Sequence, residues 1–371
     1  MGVITEGSVH RINYGGMTAW RMKTNVLKGV ANGITEAIVL DKGFNIVSEK
    51  ALIYGKQREL LRTEPERTIK AFLDADPNNY FTKGNAALLP ANRIWGEVQG
   101  KSLRISWDGR ECFVPMNFPN EKTSIHGLIF NRLYYDIHFD RTEHGITLSG
   151  MTEIPGNEWF SSLTIGHNIE LLFSGEIRRS IYVYNNGCYS APVSVGEHPY
   201  IDIPEGQDRA GVRLEIPAQS VVRADFSDNL RPMFKHPDLF AKFGGDFFPH
   251  KSSLNLEDIF LDNCFTNLIK PIVLKIEFPA LKWGVALEGR QSVNAIQVYS
   301  PMDPAAAAFN SVAGELQGNY ADPLNPEWKK HSDFGPMGFE GSGVKDLKSR
   351  ESMIWEVIHR VYTMMDLPAP E

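Results

Sequence analysis

The chain has 371 residues, 42% of them hydrophobic and 22% charged, with a formal net charge of −7. That is ample material for a large core, and the length permits either one long all-β domain or two smaller ones. The mild acidity and the scatter of Lys and Arg argue against a nucleic-acid or acidic-membrane partner, and no stretch reaches the roughly 20 apolar residues of a membrane helix.

In chain order, Met1 to Glu6 lacks the basic and apolar regions of a signal peptide. Thr63-x-x-Glu66 is a capping box; Ile69, Phe72 and Leu73 then share one apolar face and Pro77 enforces a stop, so a short helix is predicted. Leu103, Ile105 and Trp107 alternate with polar residues, Asp108-Gly109 offers a tight turn, and Cys112-Phe113-Val114 returns: a hairpin. Ile146 and Leu148 alternate after Gly145, and Tyr182-Val183-Tyr184 followed by Asn185-Asn186-Gly187 reads as a second hairpin. Ile272, Leu274, Ile276 and Phe278 alternate strictly. Asp303-Pro304 running into Ala305–Ala308 suggests a capped helical turn, residues 318–350 read as a long ordered loop, and Met353–Ile358 as a final core strand. Many short strands at this spacing imply a sandwich or barrel. No repeat, low-complexity tract or linker divides the chain, so a single domain over 1–371 is expected.

Cys112, Cys188 and Cys264 are far apart and odd in number, which argues against a disulfide framework or zinc knuckle. They read as reduced thiols packed among apolar neighbours in a cytoplasmic protein. No His/Cys cluster has metal spacing and no glycine-rich phosphate loop precedes a helix, so neither metal nor cofactor is expected. His198 precedes Pro199, which stiffens the backbone that presents the imidazole, and a rigid imidazole titrating near neutrality suits general acid chemistry. His126 precedes Gly127, where the backbone can turn sharply. Arg93 offers a fork of donors able to hold two oxygens, and Asp262 lies in an apolar setting where a carboxylate needs partners. Glu315 follows a modestly apolar approach, and partial burial would make it a better base. Glu327 and Glu340 are alternative bases on the same stretch. Trp95, Trp107, Trp159 and Phe160 are candidates for a stacking platform, although core packing is the simpler reading of each.

In order, the fragments Ala91-Asn92-Arg93-Ile94, Ile125-His126-Gly127, His198-Pro199-Tyr200, Leu261-Asp262-Asn263-Cys264-Phe265, Val298-Tyr299-Ser300-Pro301 and Glu315-x-Gln317 with Ala321-Asp322 and Asn325 resemble the aldose 1-epimerase (galactose mutarotase) family over roughly residues 90–362. The resemblance implies an all-β fold, an antiparallel β-supersandwich with a few short helices. It implies an isomerase of sugar anomers with Glu315 as base and His198 as acid, meeting across a hexose-sized hollow. Arg93, His126 and Asp262, with Asn92 and Gln317 beside them, would bind the sugar. Both groups finish a full cycle in their starting protonation states, so no cofactor is implied.

Departures carry expectations of their own. Asn263 stands where the family carries a second Asp, an expected source of altered hydroxyl preference. Gly318-Asn319-Tyr320 is inserted after Gln317 and should reshape the loop beside Glu315. Residues 40–85 do not match the expected start of the family. Sugar-phosphate mutarotases carry an Arg where this chain has Phe130, with Arg132 two residues on, which favours an unphosphorylated sugar. The rival readings are a non-catalytic carbohydrate-binding protein and a hexose-6-phosphate mutarotase. A glycoside hydrolase would need a second flanking carboxylate.

Overall fold

Period-two alternation gives most strands one face for a core and one for water or a ligand. The computed structural model describes residues 6–25, 32–63, 84–225, 231–237, 239–243, 253–256, 260–306, 308–328, 330 and 342–364. Within them two large antiparallel sheets, of 12 and nine strands, form the body of the molecule. The larger sheet begins as a meander of Gly7–Tyr14, Met17–Thr24, Gly33–Leu40 and Ile46–Ile53. It continues through Asn85–Leu88, Gly196–Asp202, Ser311–Gln317, Ala295–Ser300 and Leu261–Leu268. At the centre of the smaller sheet, Glu176–Asn185 and Trp283–Gln291 flank the long final strand Ser352–Thr363.

The inner faces meet in one continuous apolar cluster, in which Ile296, Val298, Val312 and Leu316 of the larger sheet join Leu274, Ile276 and Leu287 of the smaller. Each such side chain, fully buried, contributes about 1.5–3 kcal/mol. The sheets approach closely at Gly314, where a β-carbon would lie 2.7 Å from Leu274. That glycine seats the strand carrying Glu315 directly on the core.

Several local expectations hold. Ser102–Trp107 pairs with Arg110–Pro115 around Asp108-Gly109, both at positive φ, and Gly145–Ile154, Ile272–Phe278 and Ser352–Thr363 are strands. The hairpin at Tyr182–Gly187 does not form. Glu176–Asn185 pairs with Leu163–Leu172 and Ser352–Thr363, while the next strand, Ala191–Val193, pairs with Lys345–Leu347 in a separate ribbon. The Asn185 side chain diverts the chain there: its amide donates to the carbonyls of Tyr189 and Leu347, and its oxygen accepts from Ser161. Lys345–Leu347 also gives the expected loop of 318–350 a strand. Residues 304–306 form a turn, with the Asp303 carboxylate accepting from the Ala305 N–H, and residues 308–310 form another; residue 307 of the expected helical turn lies outside the described residues. The helix expected from Thr63 to Pro77 lies outside the described residues beyond Thr63. Cys112 and Cys264 are buried as expected, but Cys188 is exposed; all three are free thiols. No helix among the described residues is long and apolar enough to cross a membrane.

Candidate active site

The strand Gly196–Asp202 lies between Asn85–Leu88 and Ser311–Gln317. Towards the latter, Gly196 pairs with Gln317 and Tyr200 with Ala313, but the three residues between make no ladder pair. Pro199 has no N–H to contribute there. The same register sets His198 opposite Glu315, and neighbouring strands hold opposed side chains about 5 Å apart at their roots. His198 Nε2 accordingly stands 3.1 Å from Glu315 Oε1. The two touch directly instead of facing each other across a sugar-sized gap.

The other expected residues gather around this contact. The His126 ring meets His198 edge-on at 4.6 Å, and Tyr200 stacks beneath His198 at 4.6 Å. His126 and Arg93 adopt φ of 63° and 53°, a left-handed conformation that costs on the order of 1 kcal/mol or more for a non-glycine residue. Neighbours hold both: Asn92 Oδ1 accepts from the His126 N–H at 2.8 Å, and the Arg93 carbonyl accepts from the Asp322 N–H at 3.0 Å. Gly127 continues the turn at φ 74°, so close to Leu89 that a β-carbon would sit 2.1 Å from its carbonyl oxygen. Arg93 places Nη1 and Nη2 each 3.3 Å from Asp262 Oδ2, and Gln297 donates to the other Asp262 oxygen at 2.5 Å. Gln317 donates to Glu315 Oε2 at 2.5 Å. Asn92 and Gln317 thus orient other site residues, and the Asn319 side chain of the insert braces the Asn92 carbonyl.

Gln297, Tyr299 and Tyr200 join the site beyond the residues expected from the sequence. Gln297 pairs with Glu315 and Tyr299 with Asp262, so both lie on the Glu315 face. The alternation of the Tyr299-Ser300 fragment against the Glu315 strand is the sequence signal that points to them. Alternation also places Asn263 on the sheet face opposite Asp262, so its substitution for Asp does not act on the cleft directly.

Desolvation governs the electrostatics. Glu315 and His198 are only 3% and 6% exposed. Burial, with Arg93 assisting, pushes His198 down to about 3 and His126 well below the ordinary histidine range. Burial holds Glu315 well above the ordinary carboxylate range, opposed by Arg93 and Gln317 and reinforced by Asp262. Between the two limits the His198–Glu315 pair holds one transferable proton. Imidazole beside carboxylic acid and imidazolium beside carboxylate carry the same net charge, so moving that proton along the 3.1 Å contact changes no overall charge.

On the other face of the same strand lies a second ionisable cluster. Glu197 Oε1 accepts from His359 Nε2 at 2.8 Å, and both Glu49 oxygens lie 3.2 Å from His359 Nδ1. Arg179 Nη1 lies 3.6 Å from Glu197 and donates to Asn85 Oδ1 at 2.9 Å, while its Nε donates to His167 Nε2 at 2.9 Å. All are buried. Burial alone would lower His359, but Glu197 and Glu49 outweigh it and hold His359 at about 10. For Glu197 too, His359 and Arg179 overcome burial and hold the carboxylate below its usual range.

Other candidates separate from the cleft chemistry. Glu327 pairs with Lys330 on the surface, and Glu340 lies outside the described residues. Arg132 is committed to the Leu128 carbonyl and to Glu158. Trp95, Trp107, Trp159 and Phe160 are all buried, and the Trp159 indole donates to the Pro192 carbonyl. Among the described residues no group of three or more His, Cys, Asp or Glu side chains could hold a metal ion.

The model of a family described as aldose 1-epimerase matches residues 34–334, which takes in the segment 40–85. No curated protein matches the chain by sequence. Among solved structures, a galactose mutarotase-like protein from Clostridium acetobutylicum aligns with TM-score 0.72 at 16% identity, over 98% of this chain and 99% of that one. A galactose 1-epimerase from Lactobacillus acidophilus NCFM aligns with TM-score 0.64 at 14% identity, over 98% and 99%. An aldose epimerase homologue from C. elegans gives TM-score 0.64 at 15% identity, over 89% and 96%. At these identities the likeness is one of fold, the antiparallel β-supersandwich.

Proposed function

The chain belongs to the aldose 1-epimerase family, and from that premise we propose that it interconverts the α and β anomers of a free hexose or related sugar, in the cytoplasm. The observation that carries this reading is the 3.1 Å contact of His198 with Glu315 beside the Arg93–Asp262 pair. Glu315, as carboxylate, takes the proton of the anomeric hydroxyl while His198, as imidazolium, gives its Nε2 proton to the ring oxygen. The bond from C1 to the ring oxygen breaks as the C1 carbonyl forms. Rotation about the C1–C2 bond presents the other carbonyl face, and the reverse transfers close the ring and restore both groups. Arg93, Asp262 and neutral His126 hold hydroxyls, each with donors or acceptors suited to them.

The charge balance favours an uncharged sugar. Arg93 answers Asp262, with Glu121 and Glu315 close enough to act on it electrostatically. A phosphate dianion would meet those carboxylates, and Arg132, the motive for the sugar-phosphate alternative, is already paired with Glu158.

Exchange NMR on freshly dissolved aldoses tests the proposal: the protein should accelerate anomer exchange over buffer. No acceleration across a broad panel of free sugars would overturn it, and acceleration confined to hexose 6-phosphates would replace it with that alternative. Binding by calorimetry without exchange would instead mark a non-catalytic carbohydrate-binding protein.

A further inference from the structure

The ladder gap at Glu197-His198-Pro199 raises a mechanical question: what holds the His198 peptide against Glu315, where the neighbouring strand supplies no pair? On the other edge, Glu197 pairs with Ala87, His198 with Ala86 and Pro199 with Asn85. Asn85, 1% exposed, adds a side-chain anchor, its Oδ1 accepting from the His198 backbone N–H at 3.2 Å. The same oxygen accepts from Arg179 Nη1 at 2.9 Å, and Asn85 Nδ2 donates to Glu197 Oε2 at 2.9 Å. The amide has one permitted orientation, because a guanidinium only donates and an ionised carboxylate only accepts. Glu197 is fixed in turn by His359, and His359 by Glu49.

We propose that Asn85 is the positioning residue for His198, and that the buried Arg179–Glu197–His359–Glu49 cluster serves to clamp Asn85. This rests on His198 being the acid of the proposed reaction. The cluster contains two carboxylates and two cations, so its net charge is zero. None of its members is among the groups that shift His198, whose depression follows from burial and Arg93. The action is therefore geometric: it sets where the imidazole stands, not how acidic it is.

Three variants test this. Asn85→Ala removes the anchor and should lower kcat about ten- to a hundredfold, as a small misplacement of a catalytic group does. KM should stay near the wild-type value, since Arg93, His126 and Asp262 are untouched. Asn85→Asp sets a carboxylate against Glu197 and adds a third buried negative charge, so it should lose at least as much. The double variant Asn85→Asp with Glu197→Gln exchanges carboxylate and amide, restores zero net charge, and should recover tenfold or more of kcat over Asn85→Asp alone. A variant with merely lowered stability would show no such reciprocal rescue when assayed far below its unfolding temperature.

An Asn85→Ala protein that is folded and keeps wild-type kcat overturns the proposal, as does a loss that lies wholly in KM. If Asn85→Ala does not fold, the double variant decides: folded and no faster than Asn85→Asp, it overturns the proposal. Imidazole nitrogen NMR separates this inference from the mutarotase reading. Should the wild type prove inactive on every sugar, a shifted His198 ring signal in the folded Asn85→Ala protein still supports positioning by Asn85, and an unchanged signal overturns it.

Discussion

Two histidine–glutamate contacts lie back to back on one strand, and they behave in opposite ways. On the cleft face, His198 and Glu315 are driven towards their neutral forms, the imidazole down to about 3 and the carboxyl well above its ordinary range. On the core face, Glu197 and His359 are driven towards their charged forms, the imidazole up to about 10. Burial is severe at both. Partners make the difference: His359 lies between two carboxylates with Arg179 alongside, so each ion has an opposite charge and a hydrogen bond. In the cleft Arg93 is engaged chiefly with Asp262, and the remaining pair settles near neutrality with one mobile proton. A complete ionic circuit fixes a backbone, whereas an incomplete one leaves a proton free to move.

The sharpest way to break this comparison is to disable each side. Glu315→Gln and His198→Asn should each slow anomer exchange by about 10²–10⁴-fold, the usual worth of a positioned acid or base. Neither should lower the unfolding temperature much, because both remove a group whose charged form is disfavoured by burial. His359→Leu should act first on stability, and on the rate only through a loosened hold on Asn85. Removing one member of a buried ionic circuit leaves carboxylates unanswered and costs about 3–5 kcal/mol of stability, measured by denaturant unfolding. A His359→Leu protein of wild-type stability would show that the core cluster is not held as ions.

Acidity sharpens the contrast further. The folded value of His359, about 10, lies above its unfolded value of 6.5, so its contribution to stability is complete below pH 6.5. That contribution is lost as pH rises towards 10, and the unfolding temperature should decline across this window in the wild type. The decline should flatten in His359→Leu. The exchange rate follows the other pair. It should persist through mild acid, because His198 takes a second proton only near pH 3, and it should fall in alkali as the pair loses its shared proton. A rate profile centred on an ordinary histidine value of 6.5 would contradict the desolvated pair.

The cleft side of this comparison was far more legible in the sequence than the core side. Its residues sit in short fragments whose order resembles a family, and Pro199 next to His198 announced a rigid backbone. The core cluster joins Glu49, Asn85, Arg179, Glu197 and His359, spread over 310 positions between Glu49 and His359. Only strand register brings them together, and register between distant strands leaves no local trace. One clue was available: if His198 faces a cleft, alternation sends Glu197 into the core, where a carboxylate requires partners. Fold class was readable from alternation, yet the Asn185-Asn186-Gly187 hairpin was not what formed, because side-chain hydrogen bonds of Asn185 outweighed the turn signal. Asn263 shows the same limit, since matching a motif position does not fix which way a side chain faces.

The smallest expected effect probes why the cleft pair stops short of full ionisation. Gln317 donates to Glu315 Oε2 at 2.5 Å and is one of two neighbours that favour the carboxylate, Arg93 being the other. Gln317→Met keeps the volume and removes the donor. Glu315 should then hold its proton more tightly, and the alkaline limb of the rate profile should move to higher pH. The carboxylate form needed to accept the anomeric proton becomes rarer, so the rate on the plateau should fall roughly tenfold, the lower end of what one hydrogen bond to a charged group contributes. A limb that moves to lower pH instead would mean that Gln317 steadies the protonated carboxyl. The division of labour between the two faces of the strand would then need another source than the number of partners each ion finds.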